Sequence, residues 1–216
     1  MHAISALTAV AMLAFAANSL LCRIALAGHG MDAASFTSIR LLSGALVLWV
    51  LTRARASNPA GRGSWLSALA LFVYAAGFSL AYLELSAATG ALLLFGAVQV
   101  SMIGHGLYRG ERLAAWQWLG VAVALAGLLV LLLPGLSSPP LAAAVWMLGA
   151  GVAWGAYSVR GKTAGDPTRV SAGNFVRAVP MALALSLWQR DHLALDMAGI
   201  TCAVASGALA SGLGYA

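Results

Sequence analysis

The chain has very little charge. Asp, Glu, Lys and Arg make up 8% of its 216 residues and apolar residues make up 62%, whereas about a quarter of the residues of a soluble domain are charged. So few charged side chains cannot cover the surface of a soluble protein of this length. The composition therefore predicts a polytopic membrane protein.

Residues that bind metals or cofactors are scarce as well. The two cysteines, Cys22 and Cys202, lie inside apolar runs and are interpreted as small buried side chains rather than as a disulfide or a metal site. The sequence has no Cys/His metal spacing, no phosphate-binding glycine loop and no dinucleotide fingerprint. We therefore expect neither a cofactor nor a bound metal.

Acidic residues are absent from the middle of every apolar run. A proton-coupled carrier often uses a carboxylate at such a position, so the mode of energy coupling stays open. The net charge of +6 comes from basic residues scattered at the ends of the runs. That distribution is typical of residues that orient membrane helices and does not suggest a nucleic-acid partner.

Eight apolar runs are long enough to cross the hydrocarbon core of a bilayer, which takes about 20 helical residues. No Lys or Arg precedes the first run, so it is interpreted as a retained helix rather than as a cleaved signal. The predicted fold class is an all-α integral membrane bundle of eight spans. They lie at about 4–27, 33–52, 64–84, 86–108, 114–133, 141–160, 171–189 and 196–215.

Basic residues are concentrated in alternate breaks between these runs. The odd-numbered breaks carry Arg190, and Arg23 lies near the outer end of the first run. By the positive-inside rule, the even-numbered breaks and both ends of the chain are predicted to face the cytoplasm, in a multi-pass protein of the plasma (inner) membrane. The even-numbered breaks carry Arg53, Arg55, Arg62, Arg109, Arg112, Arg160, Lys162 and Arg169.

The sequence also repeats itself at low identity. Residues 15–48 align without a gap on residues 152–185, which places Arg40 on Arg177, and the segment AGFSLAY recurs later as LASGLGY. A duplicated hydropathy pattern is typical of secondary transporters. With five helices in a repeat, the second copy would be inverted relative to the first.

The repeat predicts two domains of unequal length. The first covers residues 1–134 with five helices, a short loop follows at 135–140, and the second covers residues 141–216 with three helices. Helices four and five have no counterpart in the second domain. We therefore expect a ten-helix protein of which this chain is a fragment, and a natural eight-helix form is the alternative.

Several segments resemble the EamA-type permeases of the drug/metabolite transporter superfamily. AFAANSLLCRIAL resembles their first-helix signature, SFTSIRLLSGALVL their second-helix motif, and WMLGAGVAWGAYSVRGK the opening of their second domain. The GERL turn and the Gly/Ala-rich helix after it resemble helices four and five of the family. Phe15-Ala16 departs from the usual Trp-Gly pair, which helix six keeps at Trp154-Gly155.

That resemblance covers almost the whole chain and implies a ten-helix fold of two inverted halves. It also implies proton- or exchange-driven movement of small metabolites or drugs by alternating access, often as export. Because the final two helices of the family help to wall its central cavity, their absence from this sequence leaves the transport competence of residues 1–216 open.

Polar and aromatic residues near the middle of the runs are the candidates for lining a substrate cavity. Gln99 is the first choice, because an amide that faces lipid would be costly, and an interhelical hydrogen bond is its alternative role. Asn18 on helix one has the same two interpretations. Trp154 and Tyr157 share a face of helix six beside Ser158, where packing is the alternative.

A second group of residues is expected to act in gating or at the interface of the repeats. Arg40 and Arg177 lie inside runs and either snorkel to the head groups or fix the repeat interface and attract an anionic substrate. Tyr82 and Tyr215 occupy matching positions, either as gates or as interfacial tyrosines. Glu84 either accepts a proton at the outer end of helix three or caps that helix.

The leading function is therefore a secondary transporter of small organic solutes, with export as the expected direction. A structural or assembly membrane protein is the alternative. An intramembrane enzyme is less favoured, because LASG at 209–212 has Leu where a Gly-x-Ser-Gly nucleophile needs Gly, and paired intramembrane aspartates are absent.

The expected partners are the lipid bilayer and a small-molecule substrate. Small residues at Gly151 and Gly155, and at Gly207 and Ser211, form flat helix faces. Such faces permit close contact either within the bundle or between two copies in a homodimer.

Overall fold

The computed structural model describes residues 2–54, 61–132 and 139–213. They form eight α-helices and no strand in these ranges, with π-helical segments after the first and last helix and a short 3-10 turn before the last. The α-helices are α1 His2–Arg23, α2 Ala33–Ala54, α3 Trp65–Tyr82, α4 Ala87–Tyr108, α5 Ala115–Leu132, α6 Leu141–Gly161, α7 Pro167–Trp188 and α8 Met197–Ala205. The π segments are Ile24–Gly28 and Ser206–Leu213, and the 3-10 turn is Arg190–His192.

Five helices of the described chain, α2, α3, α4, α6 and α7, are long and apolar enough to cross a membrane. Shorter apolar stretches lie at Met12–Gly28, Ala115–Gly127 and Met197–Leu209. The all-α architecture predicted from the apolar runs is confirmed, because every run lies on a helix. Fewer helices than the eight predicted spans meet both the length and the hydropathy requirement.

One predicted helix start is wrong, and the last helix changes its geometry. Helix α7 begins at Pro167, four residues before the predicted start, because the Asp166 carboxylate accepts a hydrogen bond from the Arg169 amide at 3.0 Å. An Asp cap followed by Pro in the first turn is a strong helix start. The last predicted span, at about 196–215, is α-helical from Met197 and turns π-helical at Ser206.

Helices α2 and α7 pack against each other in antiparallel orientation. Near one end of the pair, the Ser38 and Ser186 hydroxyls lie 2.8 Å apart. Further along, Gly44 approaches the Phe175 ring so closely that a Cβ on Gly44 would lie 2.7 Å from it. Small residues therefore set the close approach of these two helices.

Helices α3 and α8 have corresponding packing partners. Helix α3 packs mainly on α6 and also contacts α7, whereas α8 and its π segment pack mainly on α2 and also contact α1. In α3, Gly77 lies against α6 at Ala150, and at the start of the second π segment Ser206 bonds to Asn18 of α1. The partners of α3 and α8 therefore occupy matching places in the order of the helices, but their main partners differ, since α3 packs mostly on α6 and α8 mostly on α2.

The loops gather at two ends of the bundle. Arg160 donates from Nε to the Ser67 hydroxyl at 3.1 Å, and Arg177 donates from Nη1 to the Arg62 carbonyl at 2.6 Å. These bonds bring residues 61–64 and 161–166 together. We call the end formed by these two segments and residues 109–114 the basic end.

Helix α4 places residues 109–114 at the basic end because it runs parallel to α6. Gly151 of α6 lies against Ala97 of α4, and one turn later Gly155 lies against Ser101. The small-residue face at Gly151 and Gly155 therefore acts within the bundle.

The opposite end carries residues 29–32, 83–86 and 189–196. Arg23 donates from Nη1 to the Tyr82 and Leu83 carbonyls, both at 2.9 Å. Asp32 accepts a bond from the Ala194 amide at 3.1 Å. Basic side chains are fewer at this end than at the basic end, as the alternation along the sequence predicts.

Candidate functional site

Arg40 is a charged side chain buried inside the bundle, with only 3% of its surface exposed. Its Nη2 donates to the Tyr74 hydroxyl at 2.9 Å, and its guanidinium carbon lies 5.1 Å from the Tyr74 ring centroid and 4.9 Å from that of Phe78. Aromatic faces stabilise a guanidinium in this geometry. Snorkelling to the head groups, one of the two predicted roles, is wrong for Arg40, because its charge is held inside the protein.

Arg177, its partner in the sequence repeat, lies in a different environment. The side chain is half-buried near the basic end, where Nη1 donates to the Arg62 and Gly173 carbonyls at 2.6 and 2.8 Å. The guanidinium also lies 6.0 Å from the Trp65 ring. Arg177 therefore ties the start of α3 to α7, whereas Arg40 occupies the interior.

Polar side chains from α1 and the second π segment extend the environment of Arg40. The buried Asn18 accepts a hydrogen bond at Oδ1 from the Ser206 hydroxyl at 2.6 Å, and its side chain lies near the Tyr74 hydroxyl. Tyr74 thus lies between Asn18 and Arg40. We call Arg40, Tyr74, Asn18 and Ser206 the Arg40 cluster, and its members come from four different segments of the chain.

The second π segment begins within this cluster. Ser206 is its first residue, and Gly207 lies so close to α2 that its Cα faces the Arg40 carbonyl and the Ser43 hydroxyl. Departures from regular α-helix are frequent at functional sites, since they re-aim polar groups. The hydropathy pattern contained no signal for this change.

A second polar contact lies near the cluster, between α2 and α3. The Thr37 and Ser79 hydroxyls are 2.8 Å apart, and each also bonds to a carbonyl one turn earlier in its own helix. Cys22 of α1 is buried beside Ser79, as the sequence predicted for a small apolar side chain. These hydroxyls are satisfied within the bundle, so they hold helices together and are not primary candidates for solute binding.

Aromatic rings connect the cluster to the side of α4. Phe95 lies 5.7 Å from Phe15, Phe15 lies 5.4 Å from Trp154, and Trp154 lies 4.5 Å from Tyr74, measured between ring centroids. Edge-to-face pairs at these distances are favourable. Trp154, predicted to line a cavity, therefore stands between the exterior of α4 and Arg40.

Gln99 lies apart from the cluster. It is exposed on α4, one turn beyond Phe95, in a groove of about 950 Å³ between α4 and α5. Among the described residues that line this groove, Gln99 alone has a polar side chain. Gln99, the first choice for a cavity-lining residue in the sequence analysis, therefore lies in a wide groove with an otherwise apolar lining.

The other predicted site residues are dispersed. Tyr157 is buried and Ser158 is half-buried on α6, while Glu84 is exposed just after α3. Tyr82 is fully buried at the end of α3 and donates to the Ala87 carbonyl at 3.2 Å, and its role as a gate or an interfacial tyrosine stays a prediction. Tyr215 lies outside the described residues.

The sequence reading missed Tyr74, Phe78, Phe95 and Ser206. A signal for the first two was present, because Tyr74, Phe78 and Tyr82 recur every four residues and so share one face of α3. Their rings pack at steep angles to one another, with the Phe78 centroid lying 5.5 Å from that of Tyr74 and 4.7 Å from that of Tyr82. Phe95 and Ser206 had no such pattern.

Metal-binding and thiol chemistry have little support in the described ranges. No group of three or more His, Cys, Asp or Glu side chains there could hold a metal ion. Cys22 and Cys202 are both free thiols. The side chains of the Arg40 cluster are suited to binding a ligand, through a guanidinium, an amide, two hydroxyls and aromatic faces.

Comparison with known proteins gives one informative relationship. No family model matches the chain. The chain is 59% identical over 212 residues to the uncharacterized protein PA1977 of Pseudomonas aeruginosa, an alignment that covers 97% of this chain and 74% of the relative. Such identity over nearly the whole chain leaves no doubt of common descent and a shared fold. The chain therefore belongs to the same family as PA1977 of Pseudomonas aeruginosa.

Proposed function

We propose that the protein is a secondary transporter that moves small organic metabolites or drugs across the plasma membrane by alternating access, in the direction of export. The observation that supports the proposal is the correspondence of packing partners between the two predicted halves. Helix α3 meets α6 and α7 as α8 with its π segment meets α1 and α2, around the antiparallel pair α2 and α7. Two related and oppositely oriented halves are the usual basis of alternating access.

The Arg40 cluster joins helices of both predicted halves, which supports its role as the solute site. Asn18, Arg40 and Tyr74 belong to the first half, and Ser206 belongs to the second. A rocking motion of one half against the other would separate Ser206 from Asn18 and open the polar groups to a solute. Transporters place their substrate sites at this kind of interface.

The chemistry of the site suggests the class of solute. A buried guanidinium and an amide favour hydrogen-bond acceptors, and the adjacent rings of Tyr74, Phe78 and Trp154 favour an apolar or aromatic body. An amphipathic organic solute satisfies both requirements. The proposal places the basic end in the cytoplasm, in agreement with the positive-inside rule.

A structural or assembly protein is the second candidate function, and α5 is the observation that favours it. Its main packing partner is α4, and large side chains such as Trp116, Leu119 and Val123 are mostly exposed. An apolar helix of this kind suits either lipid or another membrane protein. The buried polar cluster is not needed for that role.

Transport can be tested with the full-length protein in proteoliposomes. The vesicles are loaded with a bacterial metabolite extract, and mass spectrometry follows the solutes that leave them relative to protein-free vesicles. We expect selective release of one or a few amphipathic solutes. Replacement of Trp154 by Leu should slow release at least about tenfold, because a displaced ring at the site misplaces the solute.

The matched control is Trp188→Leu, since Trp188 is 81% exposed and lies at the end of α7. Its release rate should equal that of the wild type. Gln99→Leu distinguishes the groove from the cluster, because loss of transport in that variant alone would move the solute site to the groove. No selective release from wild-type vesicles, with correctly folded protein, would favour the assembly role.

A further inference from the structure

A second, smaller cavity lies at the basic end and is chemically unlike the groove beside α4. Its volume is about 360 Å³, which is within the range of small-molecule sites. The walls come from the segment before α3, the end of α6 and the start of α7. Its lining includes Arg62, Ser64, Ser67, Arg160, Thr163 and Val170.

Two hydroxyl groups of this cavity, those of Ser64 and Ser67, are held in fixed positions. Ser64 caps α3, since its hydroxyl accepts a bond from the Ser67 amide at 3.2 Å, and the two hydroxyls lie 2.9 Å apart. Arg160 donates from Nε to Ser67 at 3.1 Å, which directs its guanidinium across the cavity. The Asn174 side chain holds the Ser64 amide at 2.8 Å.

The positive charges around the cavity are not neutralised by acidic side chains. In the ranges that the structure describes, Arg62, Arg160 and Lys162 form no ion pair, and Arg62 and Lys162 make no side-chain hydrogen bond. The nearest acidic residue along these segments, Asp166, caps α7. Two guanidiniums beside fixed hydroxyls form a donor set suited to a phosphate group.

We propose that this cavity binds a phosphate ester group between Arg62 and Arg160, with the head group of an anionic phospholipid as its source. Helix α3 begins here and α6 ends here, and both are long and apolar enough to cross a membrane, so the cavity opens at head-group depth. Basic pockets between membrane helices bind such head groups. Val170 and Ala164 give the cavity an apolar wall for the glycerol carbons.

The test uses full-length protein in neutral detergent after removal of lipid. Short-chain phosphatidylglycerol, phosphatidylcholine and inorganic phosphate are titrated separately, and binding is read from the rise in melting temperature. We expect phosphatidylglycerol to bind most tightly. The double variant Arg62→Gln/Arg160→Gln should bind it about 30-fold more weakly, because each basic residue near an anionic surface contributes roughly fivefold.

Two further variants separate the cavity from the general charge of the basic end. Arg109→Gln/Arg112→Gln makes the same charge change at the same end outside the cavity and should bind like the wild type. Arg62→Lys/Arg160→Lys keeps the charge and should stay within about fivefold of it. Circular dichroism checks that each variant is folded.

The two sources of phosphate give different results. Inorganic phosphate that binds as tightly as phosphatidylglycerol, and is weakened by the same double variant, supports the phosphate site but makes a soluble phosphate its ligand. Absence of binding by either compound overturns the proposal. An equal loss in the Arg109/Arg112 variant also overturns it, since attraction would then come from the whole basic end.

Discussion

The Arg40 cluster and the groove between α4 and α5 are opposite kinds of environment within one small protein. In the cluster, Arg40, Asn18 and Ser206 are buried and bonded to one another or to Tyr74. The groove encloses about 950 Å³, yet among the described residues that line it only Gln99 has a polar side chain. The polar groups therefore lie where the helices pack tightly, and the volume lies where the wall is apolar.

This contrast shows that cavity size is a poor guide to a site in an apolar bundle. Apolar side chains on the outside of such a bundle cost nothing when they face lipid, so a wide apolar groove needs no function. Polar groups in the interior are costly unless they are paired, so a buried cluster requires an explanation. The proposed transport role offers one, because the cluster would then be closed in one state and open in another.

The largest expected effect comes from filling the close contact beside the cluster. In Gly207→Val, the new Cβ would meet the Arg40 carbonyl and the Ser43 hydroxyl. Because the carbonyl belongs to helix backbone and cannot move aside, we expect a loss of about 3 kcal/mol in unfolding free energy. Unfolding in mixed detergent and SDS micelles measures it.

Gly120→Val is the matched control on the groove side. No atom lies within 4 Å of a Cβ built on Gly120 in α5. Its unfolding free energy should change by less than about 1 kcal/mol, as expected from helix propensity. Equal losses in the two variants would mean that the two regions are packed alike.

The next effect compares two arginines of α2 that both lie over aromatic rings. Arg40 is buried over Tyr74 and Phe78, whereas Arg53 is exposed and lies 5.0 Å from the Trp49 ring. Arg40→Ala removes a charged hydrogen bond and leaves a cavity, so we expect a loss of about 2 kcal/mol.

Arg53→Ala should cost less than about 1 kcal/mol, because an exposed cation–π contact contributes little. The same SDS titration compares the two variants. An Arg40→Ala protein that is as stable as the wild type would show that burial of this charge is as costly as its contacts are favourable.

The smallest effect tests a single hydroxyl. Tyr82 is fully buried and donates to the Ala87 carbonyl, whereas Tyr108 is 88% exposed at the end of α4. Tyr82→Phe should lower the unfolding free energy by about 1 kcal/mol, the usual net value of a buried hydrogen bond. Tyr108→Phe should leave it unchanged, and the reverse order would contradict the burial of Tyr82.

Prediction from sequence succeeded where a property depends on neighbouring residues along the chain. The helical class and the loop positions follow from the length of the apolar runs, and the start of α7 was missed only because the Asp166-Pro167 cap was not used. The candidate site was predicted less well. Asn18, Arg40 and Trp154 were identified, but Gln99 was ranked above them on its depth in the helix, without knowledge of which face it occupies.

Hydropathy and charge along the chain were sufficient to establish an all-α, apolar protein with its basic residues gathered at one end. Each of these properties follows from local composition, because a helix in lipid must satisfy its backbone internally and a basic residue favours the helix end. Which residues meet depended on the tertiary packing. Asn18 and Ser206 are 188 positions apart. Their contact depends on which face each helix turns toward the other. In an almost uniformly apolar sequence, side-chain packing sets that orientation, because hydropathy hardly differs from one face to another.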